Sequence, residues 1–336
     1  MDRQVAVIGS GTWGTAASDL VAPHAEKVIL WARRPEVAEA ICATHRNPQH
    51  LPDLELPENV IATSSLAEAF DGASSAVLVV PSAFLRSVCE QAAPYVAADL
   101  PIVVLTKGIE PSTGLSMVGV AADVLGNPER VAALSGPNHA EEIAQHQISA
   151  AVIAAQDVQL AQHFQRLFTS PTFRAYASDD LVGVEVCAAT KNVVALAAGM
   201  AVGLGMGDNT LAVLMTRGLA EIGRISAACG GDPLTCMGLA GMGDLVATCT
   251  SPHSRNRSFG VAFAQGESLA EYEQRTGMVV EGAQAARSVW ELAHRLGVEA
   301  PITEAVHAVL YRNCSLEDAT DRLLGRRPFE EFYGME

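Results

Sequence analysis

Three lysines occur in the 336 residues, Lys27, Lys107 and Lys191, against nineteen arginines, so positive charge is supplied almost entirely by guanidinium. A lysine kept in such a chain is a candidate for work that arginine does not do. Its ammonium is a compact charge whose pKa falls on burial, so it can release a proton, whereas guanidinium stays charged at any working pH. Lys27, in Ala25-Glu26-Lys27-Val28, reads as a solvated charge. Lys107, in Leu105-Thr106-Lys107-Gly108, and Lys191, in Ala189-Thr190-Lys191-Asn192, each follow or interrupt an apolar stretch. A buried cation is costly there unless it has a partner or a task. Surface placement is the alternative reading for both.

Phosphate chemistry is suggested at two further places. Gly9-Ser10-Gly11-Thr12-Trp13-Gly14 follows the strand-like Val5-Ala6-Val7-Ile8 and precedes a helical pattern over 15–21. Strand, G-x-G-x-x-G and helix in that order form a dinucleotide loop. Gly9, Gly11 and Gly14 let the backbone turn tightly and approach a pyrophosphate at the helix N-terminus. The second strand ends in Leu30-Trp31-Ala32-Arg33-Arg34-Pro35, with no carboxylate before Pro35. An NAD-specific site usually places Asp or Glu there for the ribose hydroxyl; two guanidiniums suit a 2′-phosphate instead. The expected cofactor is therefore NADPH, with NADH as second choice. The stretch Thr250-Ser251-Pro252-His253-Ser254-Arg255-Asn256-Arg257 combines hydroxyl, guanidinium and amide at an expected helix start and reads as a phosphate cradle or as a capped loop. Ser135-Gly136-Pro137-Asn138-His139-Ala140 ends a strand, and Gly241-Met242-Gly243-Asp244 presents one carboxylate on a glycine-rich turn.

These residues must be held by two kinds of scaffold. Over the first half, short β-branched runs at 5–8, 28–31, 76–80, 102–105 and 132–134 alternate with helical segments such as 35–44 and 82–98. Alternation predicts βαβ units, a parallel sheet and a Rossmann-like doubly wound domain over 1–180, completed by runs at 150–155 and 173–176. From Asp180 onward helical patterns dominate, at 181–204, 210–229, 234–248, 258–264, 280–296 and 301–311. The expected architecture is thus α/β plus all-α, with a helical substrate domain over 181–336. The apolar run 193–206 is shorter than the ~20 residues that cross a bilayer and reads as a buried helix.

The remaining bulk features narrow the class. Charged residues make up 18% and hydrophobic residues 49%, as in a globular protein. A net charge of −16 argues against nucleic acid or an anionic membrane as partner, so an anionic substrate needs a local basic pocket. Seven cysteines without C-x-x-C or zinc-ligand spacing, and no signal peptide before Val5, lead us to expect reduced thiols, a cytoplasmic location and no metal. Cys249 has no paired base in sequence and reads as packing. Trp31 and Trp290 read the same way, and His24, His45, His50 and His163 read as surface residues.

Taken together, Gly9–Gly14, Lys107-Gly108-Ile109-Glu110, Ser135-Gly136-Pro137, Lys191-Asn192-Val193, Gly207-Asp208-Asn209, Thr216-Arg217-Gly218, Gly241–Asp244 and Thr248–Arg257 resemble, in order and spacing, bacterial NAD(P)-dependent glycerol-3-phosphate dehydrogenase. The likeness spans nearly the whole chain. It implies that Thr12, Trp13, Arg33, Arg34 and Lys107 bind the nucleotide, Lys107 also touching substrate. It implies substrate contacts from Gly136 and Asn138 and a cofactor contact from Ala140. Lys191 becomes the catalytic acid/base. Asp244, Ser254, Arg255 and Asn256 hold the substrate, Arg255 also lying near the cofactor, which Val279 and Glu281 approach from the helical domain. Asn138-His139 departs from the Ser or Thr followed by Phe of relatives, and the tail Arg326-Arg327-Pro328-Phe329 from their shorter basic ending. The implied reaction interconverts dihydroxyacetone phosphate and glycerol 3-phosphate, the glycerophospholipid backbone, in a homodimer. Lys191 would protonate the developing alkoxide, Lys107 would keep the site cationic, and Asp244 would position the lysine. The rivals are a β-hydroxyacid dehydrogenase or ketopantoate reductase, which should lack Ser254–Arg257, and a non-catalytic NADPH-binding sensor.

Overall fold

In a computed structural model, which describes residues 2–111 and 113–327, the chain divides into two compact units. One comprises Met1–Lys107 with Leu115–Leu181, the other Gly108–Gly114 with Val182–Glu336. The segment Gly108–Gly114, assigned by sequence to the first domain, groups with the second. The physical reason is local: Ile109 is buried in the helical core, and Gly114 lies against the Arg295 guanidinium. Pro328 and Phe329 lie outside the described residues.

The first unit is an eight-stranded sheet of β1 (Asp2–Ile8), β2 (Ala25–Trp31), β3 (Val60–Thr63), β4 (Ser75–Leu78), β5 (Ile102–Val104), β6 (Val131–Ser135), β7 (Ser149–Ala154) and β8 (Phe173–Ser178), in the order β3-β2-β1-β4-β5-β6-β7-β8. Val5–Ile8 and Ser75–Leu78 are buried throughout, as strands covered on both faces should be. The helices are α1 (Thr12–Val21), α2 (Pro35–Thr44), α3 (Leu66–Phe70), α4 (Ser82–Ala92), α5 (Met117–Leu125), α6 (Ala140–Ala144) and α7 (Val158–Phe168). Helix α4 stops six residues before the expected Ala98, because Pro94 cannot donate to the ladder.

The sheet is not parallel throughout: β7 pairs antiparallel with β6, while the other pairs are parallel. Only the short α6 lies between them. A parallel crossover needs a dozen or more residues, usually around a full helix, to return the chain to the starting edge. The thirteen residues between the two strands hold no full-length helix to pack along the sheet, and the chain doubles back. Strand β3 was missed in the sequence because it is four residues long, with one face exposed.

The second unit is built on α8 (Leu181–Gly203) and α9 (Asp208–Ala228), followed by α10 (Asp244–Thr250), α11 (Arg255–Ala264), α12 (Leu269–Thr276), α13 (Glu281–Leu296), α14 (Pro301–Tyr311) and α15 (Leu316–Leu324). By length and composition α8 is apolar enough to cross a membrane, but 83% of its most apolar window is buried inside the protein. Val193, Leu196 and Met200 pack with Phe259, Ala286 and Val289 in one core. The expected single helix over 234–248 is instead a 3₁₀ turn at Pro233–Met237, a π turn at Leu239–Gly243 and then α10. Gly238, Gly241 and Gly243 account for the break, each costing about 1 kcal/mol against Ala inside a helix.

Trp290 is a packing residue with an unusual neighbour. Its ring stacks on His307 at 4.3 Å and 4°, with the Arg312 guanidinium over it at 4.7 Å. His307 is 7% exposed, and its Nδ1 finds no partner among the described residues. Burial, then Arg312, lowers its pKa below the usual 6.5; Arg287 acts in the same sense and Glu291 and Glu304 oppose. A His with a depressed folded-state pKa contributes stability that is present above the unfolded value and lost as pH falls through the folded one. The urea midpoint of the wild type should therefore drop between about pH 7.5 and about pH 5.5 by more than that of His307→Phe. Parallel curves for the two proteins would contradict this.

Candidate active site

Strands β1, β2, β4, β5 and β6 run parallel, so their C-terminal ends share one edge of the sheet. Gly9 follows β1, Arg33 and Arg34 follow β2, Lys107 follows β5 and Gly136 follows β6. Open α/β sheets bind ligands at this edge, where the loops meet helix N-termini.

The glycine loop is as tight as its spacing implies. A Cβ on Gly14 would sit 1.7 Å from the carbonyl oxygen of Gly9, which itself has φ +124. Gly11 faces open space and caps α1 without a side-chain bond, so the N-cap leaves the first N–H groups of α1 without a capping side chain. Asn47, fully buried, donates to the Ser10 carbonyl at 2.9 Å and to Thr15 Oγ1 at 2.8 Å, and so fixes the loop from behind. His50 lies against the same loop, its Nδ1 3.2 Å from Thr12 Oγ1. Neither Asn47 nor the placement of His50 was found in the sequence. The one available signal was their position beyond α2, where the chain returns toward β3. Trp13 packs partly on the core, its buried indole Nε1 without a partner among the described residues. Arg33 and Arg34 are exposed, and Arg34 reaches Glu36 only at 4.0 Å, a surface pair of small energetic weight.

Farther along this edge, Lys107 Nζ lies 3.4 Å from Asn138 Oδ1. Asn138 is 7% exposed, with a buried Nδ2 that lacks a partner among the described residues. An amide donor aimed into a polar corner beside an ammonium is suited to an oxygen-rich anion. His139 is the N-cap of α6, and Ala140 opens it, buried.

In the helical unit the sequence-distant Lys191 and Asp244 meet. Lys191, on α8, is 5% exposed and Asp244, opening α10, 3%. Lys191 Nζ donates to Asp244 Oδ1 at 2.6 Å and to Thr248 Oγ1 at 2.6 Å. Thr248 in turn donates to the Asp244 carbonyl at 2.6 Å. Thr248 was not singled out as a site residue; the signal for it is its place four residues after Asp244, on the same face of α10. Two buried charges in direct contact neutralise each other, so the arrangement holds an ammonium inside the protein without a net buried charge. Cys249 beside them is 1% exposed, and burial pushes its thiol up to about 12, which keeps it inert as a packing residue.

The hydroxyl-guanidinium-amide stretch opens α11. Ser254 is its N-cap and accepts from the Arg257 N–H at 3.2 Å. Arg255 is half exposed; its guanidinium lies 3.5 Å from the Val279 carbonyl and 3.9 Å from Glu281. Asn256 Oδ1 accepts from the Gly282 N–H at 2.8 Å at the start of α13. The fold thus brings Arg255, Val279 and Glu281 together, and leaves Arg255 with only long contacts to both. Asn256 spends its carbonyl on the backbone, so its NH₂ is the half suited to an anion.

Family models described as the N-terminus and the C-terminus of NAD-dependent glycerol-3-phosphate dehydrogenase match residues 4–161 and 180–321. A glycerol-3-phosphate dehydrogenase [NAD(P)+] of Corynebacterium urealyticum is 48% identical over 325 residues, covering 96% of this chain and 98% of that one. The crystal structure of glycerol-3-phosphate dehydrogenase from Coxiella burnetii superposes with a TM-score of 0.91 at 35% identity, covering 96% and 99%. A ketopantoate reductase from Ralstonia eutropha, at TM-score 0.57 and 19% identity over 91% and 97%, shares the fold alone.

Proposed function

The chain belongs to the NAD-dependent glycerol-3-phosphate dehydrogenase family, and from that premise we propose how its residues divide the work. The protein is an NAD(P)-dependent oxidoreductase that reduces dihydroxyacetone phosphate to glycerol 3-phosphate. The observation that carries the chemical step is the buried cluster of Lys191, Asp244 and Thr248.

A nicotinamide dinucleotide suits the residues present: a glycine turn with room at Gly11, a helix N-terminus without a side-chain cap and two exposed guanidiniums after β2. When bound, it supplies the hydride. The N–H groups of Thr12 and Trp13 would meet the pyrophosphate, and Arg33 and Arg34 would hold a 2′-phosphate. Ala140, Val279, Glu281 and Arg255 would be the further residues to contact the cofactor. Lys107, Gly136 and Asn138 receive substrate oxygens. Ser254, Arg255 and Asn256 grip the phosphate, so binding energy remote from the reacting carbon orients the carbonyl. Lys191 donates a proton from Nζ to the oxygen on which negative charge develops. Asp244 and Thr248 aim that Nζ, and Asp244 accepts from a substrate hydroxyl. The same reading takes in a cytoplasmic homodimer that feeds glycerophospholipid synthesis and has no nucleic acid or membrane as partner.

The test is NADPH oxidation with alternative acceptors. Dihydroxyacetone phosphate should support turnover and ketopantoate should not; turnover on ketopantoate alone would overturn the proposal. The cofactor choice carries its own expected result. A charge-assisted phosphate contact contributes roughly 1.5–3 kcal/mol, so NADPH should be preferred over NADH by about 10- to 150-fold in kcat/KM. The Arg33→Ala, Arg34→Ala double variant should lose that preference. A wild type that favours NADH, or an unchanged ratio in the variant, would refute it.

A further inference from the structure

Two buried thiols lie on the segments that carry the lysine-carboxylate pair. Cys187 Sγ on α8 is 3.4 Å from Cys236 Sγ, which sits in the 3₁₀ turn before α10. They are 0% and 1% exposed, and all seven cysteines are thiols. Cys187 precedes Lys191 by four residues, one helical turn on the same face. On the other side, the Cys236 backbone is wedged against Gly241, where a Cβ would stand 2.0 Å from the Cys236 carbonyl oxygen. The π turn from Leu239 to Gly243 runs from that contact straight into Asp244. Cys187 is thus linked to Lys191 by one turn of α8, and Cys236 to Asp244 by its packing on Gly241 and the π turn that follows.

We infer that Cys187 and Cys236 form a peroxide-responsive dithiol whose oxidation to a disulfide lowers turnover reversibly. A disulfide holds its sulfurs about 2.05 Å apart, so its formation draws the two sulfurs together by more than 1 Å and pulls the Cys236 turn and α8 toward each other. With no gap between Cys236 and Gly241, the turn cannot move without carrying Asp244's segment along. A misplacement of about 1 Å at a catalytic constellation costs about 10²-fold in rate. Access for the oxidant is provided by the turn itself. Leu234 and Met237, which flank Cys236, are 74% and 64% exposed, so the turn lies at the surface, and a local opening of the turn together with the segment up to Asp244 admits the oxidant.

The chemistry balances with hydrogen peroxide as oxidant. One thiolate attacks a peroxide oxygen, the O–O bond breaks and a sulfenic acid and one water result. The second thiol attacks the sulfenic sulfur, the S–O bond breaks, the S–S bond forms and a second water leaves. Two electrons pass from the sulfurs to the peroxide. A dithiol reductant reverses the step.

The coupling to turnover rests on the catalytic role proposed above for Lys191 and Asp244; formation of the disulfide does not. The wild-type protein is treated with hydrogen peroxide, digested without reduction and examined by mass spectrometry for a peptide joining Cys187 to Cys236. In parallel, kcat with dihydroxyacetone phosphate is followed before oxidation, after it and after dithiothreitol. The expected result is the joined peptide, a fall in kcat of roughly 100-fold and its recovery on reduction. Cys236→Ala should keep the basal kcat and resist peroxide, as should Cys187→Ala. Absence of the joined peptide overturns the dithiol. A joined peptide with unchanged kcat overturns the coupling, and equal inactivation of both alanine variants assigns the loss to another thiol. If the untreated protein does not turn over at all, the proposed function fails, while the peptide still decides whether the disulfide forms.

Discussion

Replacing Lys191 by alanine should lower kcat by roughly 10²–10⁴-fold while the dissociation constant for NADPH changes little. In the proposed mechanism the loss follows from removing the group that would protonate the forming alkoxide. The substitution also strands Asp244, 3% exposed, as a buried charge without its ammonium. Breaking such a pair costs about 3–5 kcal/mol of stability, so the alanine variant alone confounds chemistry with folding. Lys191→Arg separates the two. A guanidinium retains the positive charge beside Asp244 and keeps the pair intact, but it does not give up a proton at working pH. The arginine variant should therefore melt near the wild type and remain nearly inactive. Turnover close to wild type in that variant would show that Lys191 supplies charge alone, and would move the proton to Lys107 or to water.

Arg255→Ala should collapse the discrimination between dihydroxyacetone phosphate and dihydroxyacetone by roughly 30- to 1000-fold. With the phosphorylated substrate the cost is about 2–4 kcal/mol, since the phosphate loses a charge-assisted partner. The bare ketone never used that partner and loses little. The folded protein should tolerate the change, because Arg255 is half exposed and its contacts to Val279 and Glu281 are long. The two kcat/KM values, measured in wild type and variant, decide the matter. An equal loss on both substrates would assign Arg255 to the cofactor or the fold and leave Lys107, Gly136 and Asn138 as the phosphate contacts.

What could be read from the sequence was whatever a short segment determines by itself. The glycine loop declares itself because Gly14 must lie against Gly9, which no other residue type permits at 1.7 Å. Ser254 announced a helix start because its side chain caps the turn that it precedes. Lys191 and Asp244 were each conspicuous, one by rarity and the other by its glycine context, but no pattern stated that they touch. Thr248 went unmarked because a threonine one turn beyond a carboxylate is common, and only the meeting of α8 and α10 gives it a role. His50 was read as a surface residue because nothing local reveals that the chain beyond α2 folds back onto Thr12. The reversal of β7 was missed for a related reason: strand direction is set by tertiary pairing, which the apolar runs at 132–134 and 150–155 do not state. Gly108–Gly114 crossed to the helical unit through Ile109, a tertiary preference invisible in a linear reading.

The most direct measurement of the central claim is the fate of the hydride. The protein is incubated with dihydroxyacetone phosphate and NADPH deuterated at the transferring position of the nicotinamide, and the product is examined by NMR and mass spectrometry. The account predicts glycerol 3-phosphate carrying one deuteron on its central carbon, formed one for one with oxidised cofactor. Oxidation of NADPH without that product, or product without deuterium at that carbon, would contradict it.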